Sequence, residues 1–229
     1  SHARLLQQLQ RRKLQRSLVW DIRSFLNALR GKDYIKDLNN SKVVFTILQN
    51  ILEINFDYLQ KDIGEEEKVK HLEIVDHVIQ NIFFAIDDDS AQNKENTFLE
   101  LEQKALLFKY LTPLFDFILI KFSDLGPGNM LGHTGYYFMQ ALNELVEIDP
   151  GTVLQLAKSV VYLCSQDFQY DTITVQEALK IIDKVISIYP EVLNNNQSFA
   201  EVIFILDLFT TAGSEESMEM TWRLKEIFH

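Results

Sequence analysis

One cysteine, four prolines and eight glycines are all that 229 residues hold of the types that staple, break or loosen a chain. The lone thiol, Cys164, excludes an intrachain disulfide; among Val160, Val161 and Leu163 it reads as a small buried hydrophobe. Such cysteine usage fits the cytoplasm. Scarce proline and glycine suit long helices joined by short turns. No stretch alternates apolar and polar residues with the period of two that a half-buried strand needs. No apolar run is free of charge over a membrane's width either. The most apolar, residues 105–125, contains Lys109, Asp116 and Lys121. Each charge near a bilayer centre costs about 2.5–3.5 kcal/mol, so this run reads as a buried helix and no membrane partner is expected. No secretory leader is visible, and the chain opens Ser1-His2-Ala3 without Met, which reads as a piece of a longer protein.

What is present is helical periodicity. Apolar residues at three- and four-residue spacing predict an all-α chain of about nine helices. The first spans about 3–30, ended by Gly31; Leu18, Ile22, Phe25, Leu26 and Leu29 form its stripe. The next two run from Asn40 or Ser41 to Leu59 and from Glu65 to Ile86, the latter opening on three glutamates that suit a helix N-terminus. A polar loop, 87–97, leads to a helix from Thr97 to Asp124 that contains Pro113, where a kink or split is expected. Its section 114–122 is apolar almost all round and belongs at a packing centre.

Residues 139–206 organise the remainder. Ile148-Asp149-Pro150 and Ile188-Tyr189-Pro190 each end an apolar helix, forty residues apart. With the prolines aligned, Met139, Ala141, Leu142, Leu145, Val146 and Ile148 fall on Leu179, Ile181, Ile182, Val185, Ile186 and Ile188. Each proline is followed by a further apolar helix, the pattern of stacked helical hairpins. Helices are expected over 134–147, 150–165, 171–189, 197–212 and 214 to the end, with Gly213 as the last stop. Half of the glycines lie in residues 126–135, which divides the chain into an N-terminal group (1–125), a connector (126–135) and a C-terminal pair of repeats (136–229).

Charge is uneven. Residues 1–32 carry eight basic groups against one acid, +7, while the rest carries 14 against 32, −18. Arg12, Arg16, Arg23 and Arg30 leave a loose basic stripe on the first helix. Nucleic-acid contact through it is disfavoured, because the acidic body repels phosphates over a Debye length of about 8 Å. A basic helix on an acidic protein pairs more often with its own surface or a neighbouring domain.

The glycine segment is the first place to look for chemistry. Gly126, Gly128 and Gly132 precede a helix N-terminus whose free N–H groups suit an anion. Against this, no strand precedes it, no Gly-Lys-Ser/Thr follows, and the spacing is wrong for a dinucleotide fingerprint. A flexible connector is the first reading, and a small-ligand or enzymatic site at Gly128 and Gly132 the second. Asp87-Asp88-Asp89 fails as a calcium loop, since Gln92 stands where glycine is needed and Phe98 where a bidentate acid is needed. Glu73 and His77, four apart, read as a surface pair without a third metal ligand. No catalytic residue, metal or cofactor is assigned. Tyr136, Tyr137 and Phe138 cannot all face inward on one helix, so at least one is a candidate partner contact beside His133.

Residues 134–229 resemble the HEAT/armadillo class of helical repeats, through the two Ile-x-Pro helix ends and the period of forty. The stretches 206–213 and 220–228 are also similar to the ends of some large bacterial ATP-binding proteins, where a helical C-terminal region follows a nucleotide-hydrolysing core. The expectation is a short α-solenoid without catalysis, a protein-interaction or regulatory module at the C-terminal end of a larger cytoplasmic protein. Its partner would be another protein or a domain of the parent chain. The predicted contacts are Tyr136, Tyr137, His133, Arg12, Arg16 and Arg23.

Overall fold

A computed structural model of the chain describes residues 16–30, 38–86, 101–165 and 172–228. Among them the fold is all-helical, with α1 (Arg16–Arg30), α2 (Leu38–Leu59), α3 (Glu65–Ile86), α4 (Leu101–Leu125), α5 (Gly132–Leu145), α6 (Pro150–Cys164), α7 (Thr172–Ile188), α8 (Asn196–Thr211) and α9 (Glu215–Phe228). No strand occurs among the described residues, and none of their helices is long and apolar enough to cross a membrane. The triple-aspartate loop and the first half of the basic helix lie outside them.

The chain divides into two compact units, Ser1–Leu125 and Gly126–His229. In the first, α3 packs on both α1 and α2, and α2 also packs on α4. That central place explains why α3 is buried nearly all round, with Ile74, Val75, Val78, Ile79, Ile82 and Phe83 inside. Asn81 Nδ2 donates to the Leu26 carbonyl (2.8 Å), pinning α1 to α3. On α4, Leu114, Phe115, Ile118, Leu119 and Phe122 are buried as the apolar section predicts, although Ile120 is 60% exposed. Phe56 of α2 meets Phe117 and Phe122 edge-on. The helix runs through Pro113 without a break. Pro113 is on its exposed side, and Thr112 Oγ1 bonds the Phe108 carbonyl (2.8 Å).

In the second unit, α5 packs on α6 and α7, α6 on α8, and α9 on both α8 and α7. The sequence places the turns. Asp149 caps α6, accepting from Thr152 N (3.0 Å) and Thr152 Oγ1 (2.7 Å), with Pro150 at the first helical position. The second proline acts differently. Pro190 opens a 3-10 turn, Pro190–Asn194, and Asn195 then caps α8 by accepting from Gln197 N (2.9 Å). The glycine segment belongs to this unit. Gly126 and Gly128 have φ of 88° and 84°, open to glycine at no steric cost, and Gly128 N donates to the Leu163 carbonyl at the end of α6. Leu131 rather than Thr134 precedes the first turn of α5, so this helix starts earlier than its polar residues suggest.

Candidate functional site

Polar side chains link α5 to α7 and α7 to α9. On α5, Asn143 Nδ2 donates to Glu177 Oε2 of α7 (3.3 Å), and Lys184 Nζ of α7 donates back to the Asn143 carbonyl (3.1 Å). Glu177 is itself buried and accepts from Lys180 Nζ (2.7 Å). That hydrogen bond raises the Lys180 pKa above the usual lysine value, with a smaller contribution in the same direction from nearby Tyr136. On α9, Arg223 donates to Asp183 Oδ1 (2.7 Å) and to Ser187 Oγ (3.0 Å). Ion pairs this exposed are worth under about 1 kcal/mol, so the bridge chiefly fixes where the guanidinium points. Asp183 and Arg223 stand forty residues apart, and Asn143 forty before Asp183.

Between α7 and α9 lies a groove of about 370 Å³. Leu179 and Met220 form its buried apolar floor; Lys180, Asp183, Lys184, Glu216, Glu219 and Arg223 form its walls. Its volume accommodates one long side chain and lies at the small end of the range of about 300–1,000 Å³ found for small-molecule sites.

The sequence-derived contacts fall into three groups. Tyr136 and Tyr137 are both half-buried on α5, their rings 5.2 Å apart, and Phe138 beside them is fully buried. Gln140 Nε2 bonds the Tyr136 hydroxyl (2.6 Å), which places Tyr136 at the edge of the polar chain. Gln140 Oε1 and Asn143 Oδ1 are buried with no hydrogen-bond partner among the described residues. His133 is exposed one turn earlier, Gly132 is the first residue of α5, and Gly128 lies in the segment leading into it. Arg23 is on α1, in the other unit, exposed and stacked over Trp20 (5.4 Å). Arg16 begins α1, but its side chain and Arg12 lie outside the described residues. Glu216, Glu219 and Arg223 were missed; the forty-residue step from Asp183 is the signal for Arg223, and no such step marks the two glutamates.

The two histidines of α3 differ in burial, and the pair read from the sequence, Glu73 and His77, is half-buried. His77 is half-buried, and burial is the main cause of its lowered pKa, with Asp76 opposing and Arg23 adding to it. His71 is 2% exposed. Its Nδ1 meets Asn55 Oδ1 (2.8 Å), while Asn55 Nδ2 donates to the Ile51 carbonyl (2.7 Å). Asn55 therefore accepts, which selects the neutral His71 tautomer with its proton on Nδ1. The ring stacks on Tyr58 (4.9 Å), and Lys61 Nζ also lies over the tyrosine ring, 4.1 Å from its centroid. His71 Nε2 is 3.9 Å from Glu67 Oε1, too far for a hydrogen bond. Burial lowers the His71 pKa to about 4; Glu67 opposes this, and Lys61 and Lys70 add to it.

No group of three or more His, Cys, Asp or Glu side chains that could hold a metal occurs among the described residues. Comparison with protein-family models, with curated proteins and with solved structures finds no match to this chain.

Proposed function

We propose that this chain is a non-catalytic helical-repeat module that binds a protein partner, or another domain of its own parent chain, through the α5–α7–α9 face. One observation carries the reading: side chains at forty-residue steps, Asn143, Asp183 and Arg223, belong to polar contacts that join α5 to α7 and α7 to α9. Successive hairpins stacked in register would present their first helices in a row, as an α-solenoid does, and such rows bind partners by shape and scattered anchors. Tyr136 and Tyr137 are the aromatic anchors on this face, half-buried and so held in place before a partner arrives. The cytoplasm suits a chain whose one thiol is buried and has no second cysteine to bridge to. Membership of a larger bacterial protein rests on the resemblance of its last helices alone.

Affinity capture from lysate at physiological and at high salt, followed by mass spectrometry, identifies the partner. Replacing Tyr136 and Tyr137 with Ala should then weaken that complex by about tenfold or more, with the helical circular dichroism unchanged. Recovery of nucleic acid alone, and only at low salt, would sink the protein-binding reading.

A further inference from the structure

The groove between α7 and α9 has walls of both signs, but its charges are not equally engaged. Each cation has a partner inside the molecule. Lys180 is held by Glu177, Lys184 by the Asn143 carbonyl, and Arg223 by Asp183 and Ser187. Of the acids, Asp183 is engaged by Arg223, whereas Glu216 and Glu219 make no ion pair or side-chain hydrogen bond among the described residues. These two glutamates are three residues apart, on one side of α9, both exposed and both at the groove wall. Beneath them, Leu179 and Met220 offer an apolar floor. An apolar floor beside unpaired carboxylates is the environment that a long basic side chain satisfies at both of its ends, methylene stem and cationic head. The second unit as a whole has 5 basic and 14 acidic residues, a net −9, so a basic partner is drawn toward it and an acidic one repelled.

We infer that this groove receives an arginine or lysine side chain from a peptide segment of a protein partner. The stem lies on Leu179 and Met220, and the cation sits between Glu216 and Glu219. Asp183 contributes to the field but stays bound to Arg223. The inference rests on the module reading above and adds the chemistry of the partner to it.

The test uses the full ¹⁵N-labelled chain and N-acetyl-L-arginine methylamide, with the uncharged citrulline analogue as its control. The arginine probe should give saturable shifts confined to the amides of residues 179–187 and 215–224, with a Kd on the order of 1 mM. The citrulline probe should give none, and the E216Q/E219Q double variant should bind the arginine probe at least tenfold more weakly. Both glutamates are exposed, so the variant leaves the core untouched. Absence of shifts, shifts spread over acidic surface elsewhere, or unchanged binding by E216Q/E219Q would each overturn the assignment. The captured partner separates this failure from failure of the module. A complex weakened by the tyrosine replacements but indifferent to E216Q/E219Q keeps the module and removes the basic side chain from the groove.

Discussion

Protonating His71 puts a positive charge on a ring that is 2% exposed and already satisfied at Nδ1 by Asn55. Water is excluded, and the carboxylate of Glu67, 3.9 Å away, does not compensate for it. The folded-state pKa is about 4, below the ordinary 6.5. Stability from this residue is therefore complete above about pH 6.5 and is lost as pH falls from there toward 4. The difference corresponds to about 3 kcal/mol, at 1.36 kcal/mol per pH unit. Urea unfolding at a series of pH values should show that loss, and H71Q should remove most of the slope between pH 6.5 and 4 even though it lowers stability at pH 7. An equal slope in wild type and H71Q would exclude His71 as the source. The sequence hides this site because Asn55 and Tyr58 sit on the preceding helix, 16 and 13 residues earlier, where no periodicity on α3 points to them. A histidine among charged residues reads as surface until a second helix covers it.

At the scale of the helices, α5 approaches α6 closely at Gly135. A Cβ there would lie 2.6 Å from Cys164 Sγ and 3.6 Å from two atoms of Thr174, closer to the sulfur than real contacts come. Alanine at this position gains about 0.5–1 kcal/mol of helix propensity but costs about 1–3 kcal/mol of overpacking. G135A should therefore lower stability in the natural background and, once C164A has removed the sulfur, leave it unchanged or raise it. Thermal melts of the four proteins in this cycle give the answer, and a G135A effect of the same sign in both backgrounds would refute it. Helix identity and most helix ends were legible, because caps and stops such as Asp149, Pro150, Gly64 and Gly213 act locally. Pro190 was read correctly as an end, yet the 3-10 turn after it was not foreseen, since proline fixes φ without choosing the hydrogen bond that follows. The relation of α9 to α7 escaped for a different reason. The apolar register puts Trp222 forty residues after Ile182, which is buried, but Trp222 is 68% exposed; Ser217, Met220 and Leu224 face inward instead. The helix is turned about its axis relative to α7, so apolar matching fails while the polar step from Asp183 to Arg223 survives.

For the molecule as a whole, the two units carry different liabilities. Both histidines with lowered pKa values, His71 and His77, are in the first unit. Hydrogen exchange followed by mass spectrometry reads each unit from its own peptides. Between pH 7 and 5, after correction for the intrinsic rate, protection should fall first in α2 and α3, and least in α5 to α8. Parallel loss across both units would show that they open together. Cys164 supplies an independent clock for the second unit. It is the protein's one thiol, 2% exposed and wedged against α5 at the glycine that leaves it just enough room. A maleimide cannot reach that sulfur without parting the hairpin, so the rate of alkylation counts how often α5 leaves α6. Molecules that have once reacted cannot close again around the added bulk, and because the thioether does not revert, each such opening leaves a permanent mark on the molecule that made it.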